Sequence, residues 1–364
     1  MKFIKENGFE VTMISSYGNE LKSVVERESC PHIVVNFTRK ITPFADLIAL
    51  IKLFFILKKI KPEIVHTETP KAGLIGLWAA KLSGVPVRIH TIAGLPWMEY
   101  NGIVRKILML MEKLTAMAAS KIYPNSFVQK DFLFQNNIGR KKMQVLGNGS
   151  SNGIDIHHFS LTQELIDKAA ELKKNTCLKE NAHIWIFIGR VVKDKGVTEL
   201  TEAFMNLLSY YPDDQLWIVG EEEPELDPLD EKYIDILKSH PSIKCWGFRQ
   251  DVRPFLVAAN TLVFPSYREG FPNVPLEAAC LECALILSDI NGCNEIVQNG
   301  KDGLLIPPKN TQALLDAMLY LRENPATTEK LITSAKEKVI KNYDRKIIWN
   351  LLLAEYKKLI AEQD

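Results

Sequence analysis

The chain has 364 residues, 46% apolar and 24% charged, with 45 Lys and Arg against 44 Asp and Glu for a formal net charge of +1. That composition excludes a disordered chain and a single small domain, and fits two domains of ordinary size. Near-neutrality argues against a broad basic surface for nucleic acid, and six cysteines with no secretory leader before them predict reduced thiols in a cytoplasm rather than a disulfide framework.

The opening residues MKFIKENGFEVTMIS read as the end of a helix over 3–7, a turn at Gly8 and a strand over 9–14. A parallel α/β domain opens with a strand and a loop that feed its first helix, so the expectation is a chain that starts mid-unit, with that strand missing. Residues 44–60 include LIALIKLFFILKKI, which is too short to span a bilayer and is interrupted or flanked by Lys52, Lys58, Lys59 and Lys61. They read as a buried helix, a reading compatible with a face on a membrane surface. Strands are predicted at 63–65, 85–92, 121–123 and 143–146, with helical patterns between them.

Residues 155–181 carry a polar, exposed helical pattern suited to a connection between domains. A second α/β run follows, with strands at 183–188, 215–219, 243–246, 261–264 and 284–287. The last segment repeats apolar residues at helical spacing (Ile347, Leu351, Leu352, Tyr356, Leu359, Ile360) and must pack on a surface that the sequence does not identify. The predicted domains are 1–160 and 161–343, with 344–364 as a terminal helix. Alternation of this kind predicts doubly wound α/β domains, with ligands at the carboxyl ends of the strands.

Two segments of the second run carry chemistry. In HIWIFIGRVVKDKGVTELTEAF, Gly189 ends a strand, Val197 begins a helix, and Arg190 and Lys195 lie at the mouth. Arg grips phosphate oxygens in bidentate fashion and Lys adds a mobile point charge, so the pair suits a diphosphate, although two solvated loop residues would read the same way. In FPSYREGFPNVPLEAACLECALILSD, Glu269 and Glu277 flank a loop that enters a helix. The backbone N–H groups over Phe271, Pro272, Asn273 and Val274 are expected to face an anion at the helix N-terminus. Carboxylates on either side suit the vicinal hydroxyls of sugar rings.

Glu269-Gly-Phe-Pro-Asn-Val-Pro-Leu-Glu277 resembles the E-x7-E motif of retaining glycosyltransferases of family 4, which have the GT-B fold of two Rossmann-like domains facing across a cleft. Gly189-Arg190 and Lys195-Gly196 match as well. The resemblance implies that Arg190 and Lys195 bind the donor diphosphate, that Glu277 binds the ribose, and that Glu269 contacts the hexose near its reacting carbon. Trp246-Gly247-Phe248-Arg249 resembles the base-binding turn, which assigns Phe248 and Arg249 to the nucleotide. His66–Gly76 (HTETPKAGLIG) and Gly147–Asp155 (GNGSSNGID) resemble members that build bacterial surface polysaccharides. The implied activity is transfer of a hexose or N-acetylhexosamine, with retention, from a UDP-sugar to a saccharide or polyprenyl-linked acceptor. The implied setting is the cytoplasm, peripheral on the membrane. No metal and no resident cofactor are expected, since no D-x-D stands at a strand end.

The pattern departs from the family in two places. The Gly-rich loop of the first strand is not in this chain, and the family's T-x-H-G setting reads Thr91-Ile92-Ala93-Gly94, with His90 three places before Ala93 and on the other face of an alternating strand. His90 and His66, the latter just after a strand, remain acceptor-side candidates beside ordinary packing roles. Cys280-x2-Cys283 with Cys293 reads as helix packing rather than half a zinc site, and Gly147-x-Gly149 as a loop lining the cleft. Two other readings stay open: a sugar-nucleotide epimerase, and a donor-binding protein impaired in catalysis by the missing strand.

Overall fold

The computed structural model describes residues 1–18, 21–38, 42–98, 100–223, 225 and 227–363. The chain divides into two compact units, one made of residues 1–151 and 346–364 and the other of residues 152–345.

The first unit contains α1 (Lys2–Glu6), β1 (Met13–Ser15), α2 (Leu21–Glu28), β2 (His32–Val34), α3 (Pro43–Ile60), β3 (Ile64–Thr67), α4 (Pro70–Ser83), β4 (Val87–Ile92), α5 (Gly102–Ala118), β5 (Lys121–Pro124) and α6 (Phe127–Gln135). Its strands form two parallel sheets, β1–β2 and β3–β4–β5. Proline in the first turn and a left-handed residue after the last bound both α3 (Pro43, Lys61) and α4 (Pro70, Gly84). Ile92 and Ile122 face a core shared with Leu77 of α4 and Ala116 of α5. α3 packs against α4 in the same helical layer, through Ala49, Leu53 and Leu57 beside Ile75 and Ala79.

The second unit contains α7 (Gln163–Asn175), β6 (Ile184–Ile188), α8 (Val197–Leu207), β7 (Gln215–Val219), α9 (Glu231–Ser239), β8 (Ile243–Gly247), α10 (Arg253–Ala258), β9 (Thr261–Phe264), α11 (Asn273–Cys280), β10 (Ala284–Ser288), α12 (Cys293–Ile296), β11 (Leu304–Ile306), α13 (Thr311–Glu323) and α14 (Pro325–Tyr343). Its six strands form one parallel sheet in the order β11-β10-β9-β6-β7-β8. The unbroken apolar run IWIFI suits β6 to the middle of a sheet buried on both faces. Ile184, Ile186 and Ile188 join Leu256 and Leu276 on one side, while Trp185 and Phe187 join Phe204 and Leu207 on the other. The last helix, α15 (Arg345–Ala361), contributes its residues from Lys346 onward to the first unit. There Leu359 covers Val87, Ile89 and Tyr123, on the face of the sheet opposite α4 and α5.

Several expectations change. The division falls between Ser151 and Asn152 rather than near residue 160, and 346–364 groups with the first unit. Residues 155–181 are not an exposed connection: Leu165, Ala169 and Leu172 form an i, i+4, i+7 stripe, and Ala169 is buried with Phe255 and Leu256 of α10. Residues 143–146 form only an isolated bridge, Met143 to Ile122, before Gly147 turns at φ +57. The first strand covers 13–15 rather than 9–14, and the three-residue strands β2 and β11 are too short to show a period.

Candidate functional site

In the second unit the strand order reverses at β6, whose neighbours β9 and β7 lead away in opposite directions. The connections that follow β6 and β9 therefore lead to opposite sides of the sheet, and the carboxyl ends of strands at such a switch point are the usual ligand position. Gly189 carries the chain off β6, with its N–H donating to the Val219 carbonyl at 3.0 Å. The two loops are tied together at several points. The Tyr267 N–H donates to the Asp194 carbonyl at 2.8 Å, and Arg268 donates through Nε and Nη2 to Asp194 Oδ2 at 3.0 and 2.8 Å. Lys195 Nζ donates to Glu269 Oε1 at 2.5 Å, and both side chains are mostly covered. The approach is close enough to require glycine: a Cβ at Gly196, where φ is +70, would lie 2.1 Å from the Pro265 carbonyl oxygen. Arg190 Nη1 meets Glu223 Oε2 at 3.0 Å in a solvent-exposed pair, which costs little to exchange for another anion.

The Glu269 loop leads into α11. Pro272 is its N-cap, and neither Pro272 nor Pro275 carries an N–H. The donors expected over 271–274 therefore reduce to three, Phe271, Asn273 and Val274, of which the last two open the helix without intrahelical acceptors. Phe271 is anchored with its ring 5.5 Å from that of Tyr343. The Oδ1 of Asn273 is buried without a partner. Asn291 clamps the loop from the far side, donating Nδ2 to the carbonyls of Glu269 and Gly270 at 2.9 and 2.7 Å. Glu277 lies one turn beyond Asn273 on the same side of the helix, and burial pushes its carboxyl up to about 7. After β8, Phe248 stands 65% exposed and Arg249 is exposed beside it, whereas Trp246 turns into the core against Trp217 and Phe255.

Around β6 and β9 the structure thus gathers Gly189, Arg190, Lys195, Glu269, Phe271, Pro272, Asn273, Val274 and Glu277, with Phe248 and Arg249 at the end of β8. Together they offer cations, helix-end N–H donors, two carboxylates and an open aromatic face. Cys280, Cys283 and Cys293 are buried, and burial pushes the first two thiols up to about 12. Cys283 Sγ donates to the Leu256 carbonyl at 3.0 Å, a packing role.

In the first unit, consecutive residues of β3 and β4 turn to opposite faces. His90 and Thr67 face α4: His90 is buried, its Nδ1 lies 2.9 Å from Thr67 Oγ1, and its ring fills the space above Gly73. Burial pushes the His90 imidazole down to about 4. His66 and Thr91 face α15. His66 Nδ1 lies 2.5 Å from Tyr356 Oη and its Nε2 lies 2.7 Å from Thr91 Oγ1, so both ring nitrogens are engaged, and burial pushes the imidazole down to about 3. A small recess at the strand ends is lined by His66, Glu68, Thr91, Asn125, Ser150 and Ser151. Asn125 donates Nδ2 to the Ala93 carbonyl at 2.9 Å, and its buried Oδ1 has no partner. A neutral His66 thus ties Thr91 of β4 to Tyr356 of α15. Acceptors in this recess include the exposed Glu68 carboxylate and the unpartnered Asn125 Oδ1, the latter on a residue that the strand-end rule applied to β5 would have found.

A family model described as glycosyl transferases group 1 matches residues 182–324, and one described as glycosyl transferase 4-like domain matches residues 4–149. The capsular polysaccharide biosynthesis glycosyltransferase CapM of Staphylococcus aureus is 32% identical, over 100% of this chain and 94% of its own. The UDP-Gal:alpha-D-GlcNAc-diphosphoundecaprenol alpha-1,3-galactosyltransferase of Escherichia coli is 28% identical, over 87% of this chain and 81% of its own. Among solved structures, HepE of Anabaena in complex with UDP superposes with a TM-score of 0.79 at 18% identity, over 96% of this chain and 100% of that one. A glycosyltransferase from Rickettsia africae gives 0.79 at 22%, over 99% and 92%. With both halves matched and a relative aligned from end to end, the chain belongs to the group 1 glycosyltransferases and has their GT-B fold of two Rossmann-like units.

Proposed function

We propose that this glycosyltransferase moves a hexose or N-acetylhexosamine from a UDP-sugar, with retention, to a saccharide or polyprenyl-linked acceptor in surface-polysaccharide synthesis. We place it in the cytoplasm, as a peripheral protein on the inner face of the membrane. The observation that carries the donor reading is the Lys195–Glu269 pair between the β6 and β9 loops, beside the open end of α11. Lys195 has three N–H donors, so it can hold Glu269 with one and diphosphate oxygens with the others. Arg190 exchanges Glu223 for phosphate. The N–H groups of Phe271, Asn273 and Val274, with the positive end of α11, stabilise the charge that grows on the departing diphosphate. Glu269 then accepts from hexose hydroxyls, Glu277 from the ribose, and Phe248 and Arg249 face the base. Attack comes from the side on which the diphosphate leaves. The nucleotide sugar is a substrate, and no resident cofactor is assigned.

The acceptor reading draws on the relatives. The Escherichia coli protein and the N,N'-diacetylbacillosaminyl-diphospho-undecaprenol alpha-1,3-N-acetylgalactosaminyltransferase of Campylobacter jejuni are both named for diphosphoundecaprenol substrates. Among the described residues no helix is long and apolar enough to cross a membrane. Calorimetric titration of UDP into the wild type and the Arg190→Ala variant tests the donor site. Saturable binding that the variant weakens supports the proposal, and a folded wild type that does not bind overturns the UDP assignment. Binding with no transfer to any diphosphoundecaprenol saccharide would favour a donor-binding protein.

A further inference from the structure

α3 is apolar around most of its circumference and α5 along its outer side, yet each is covered on one side only. Ala49, Leu53 and Leu57 of α3 face the core, while Phe44, Ile48, Ile51 and Phe55 repeat along the opposite side. Phe44 is 87%, Ile48 67% and Phe55 65% exposed, and Leu47 flanks them. On α5 the buried side carries Glu112, Thr115, Ala116 and Ala118, and the outer side Ile103, Ile107, Leu110 and Met117, with Ile103 75% exposed. Both helices pack against α4, so the two stripes belong to one helical layer of the first unit. A helix apolar on its solvent side needs a cover.

The charge on these helices narrows what that cover is. In a chain of net charge +1, α3 and α5 together carry Lys52, Lys58, Lys59, Arg105, Lys106 and Lys113 against only Asp46 and Glu112. Asp46 is neutralised by Lys71 at 2.7 Å, and Glu112 is buried. Lys58, Lys59 and Lys106 are exposed, and Lys61 follows α3 in the same state. A second copy of the chain would bring like charges together across a symmetric contact, and the cores of protein interfaces are depleted in lysine. Apolar side chains bordered by lysines are instead the signature of a segment lying in the boundary between headgroups and acyl chains.

We propose that the exposed faces of α3 and α5 form a docking surface for an anionic lipid bilayer, with Phe44, Ile48, Phe55, Ile103 and Ile107 inserted and the flanking lysines on the headgroups. This deepens the peripheral-attachment part of the proposed function and rests on that part, not on the donor reading. The test is co-sedimentation of the full chain with vesicles of phosphatidylglycerol and phosphatidylcholine, against vesicles of phosphatidylcholine alone, with UDP titration as a separate check on the second unit. Binding to the anionic vesicles is expected. It should fall at least tenfold in Phe44→Ser with Phe55→Ser and in Ile103→Ser with Ile107→Ser, and roughly fivefold for each charge lost in Lys58→Gln with Lys59→Gln. All these positions are exposed, so UDP affinity should hold throughout. A wild type that binds UDP but no vesicles overturns the proposal, as does a soluble dimer that the same substitutions dissolve. Vesicle binding unchanged by the α5 pair removes α5 from the surface, and vesicle binding without UDP binding leaves the surface intact while overturning the donor reading.

Discussion

Lys195 Nζ lies 2.5 Å from Glu269 Oε1, joining residues 74 positions apart on loops that leave adjacent strands of one sheet. One residue is assigned to the diphosphate and the other to the sugar, so the pair links the two halves of the donor before it arrives. Glu269→Gln keeps the shape and removes the charge. We expect turnover to fall at least a hundredfold while UDP affinity changes less than threefold, since UDP lacks the sugar to which Glu269 is assigned. Lys195→Ala should weaken UDP itself and leave Glu269 without its ion-pair partner, at a stability cost of roughly 1–3 kcal/mol. Turnover at the wild-type level in Glu269→Gln would remove it from the sugar site.

Glu277 supplies a pH test. Its carboxyl is pushed up to about 7 by burial, and it must be ionised to accept two ribose hydroxyls. Donor affinity should therefore rise as pH increases through about 7 and level off above it. In Glu277→Gln, UDP should bind more weakly at pH 8 and lose that dependence. Calorimetry across the pH range checks both outcomes, and a flat wild-type profile would count against Glu277 as the ribose ligand.

Asn125 and Tyr356 should separate on the acceptor side. Asn125→Ala removes the unpartnered Oδ1 from the recess and is expected to raise the acceptor KM several-fold with UDP affinity unchanged. Tyr356→Phe removes a hydrogen bond to His66 and should lower stability by about 1 kcal/mol. Its effect on the acceptor KM should be smaller, because it acts only through His66 and Thr91. Steady-state kinetics with urea denaturation distinguishes the two.

Stability should fall on mild acidification. Burial pushes His66 to about 3, His90 to about 4 and His183 to about 3, so these groups stay neutral when folded and take up protons below about 6.5 when unfolded. That stability is present above 6.5 and is lost as pH falls. Glu112 and Glu277, both pushed up to about 7, act in the opposite sense between about 4.5 and 7. Three protons against two leave a net loss of about 1.4 kcal/mol per pH unit between about 6.5 and 4.5. Urea midpoints that rise over that range would contradict the assignment.

The second unit was the more legible in sequence. Its inner strands β6, β7, β9 and β10 are buried along their whole length and read as largely apolar runs, and most of its candidate site residues lie in two short segments whose spacing survives in one dimension. The first unit was less so. β2 covers only His32–Val34, too little for a period, and Met143 reaches β5 for a single bridge. Lys195 and Glu269 were each assigned to a ligand, but no local pattern could pair them with one another. Tyr356 lies 290 positions from His66, a separation at which sequence spacing carries no information. The three donors at α11 follow from Pro272 alone, a count that sequence could have given had the missing N–H been weighed.

The packing of α15 sets an order of events during synthesis. Val87, Ile89 and Tyr123 are covered by Leu359, and the Tyr123 hydroxyl is held at 2.9 Å by Glu355. A nascent chain emerging from the ribosome exposes that face of the β3–β4–β5 sheet until residues 346–361 follow, by which time all of residues 152–345 has been made. The unit that starts first is therefore finished last, and a chain that lacks α15 exposes apolar side chains of that sheet face, the kind of surface that promotes aggregation.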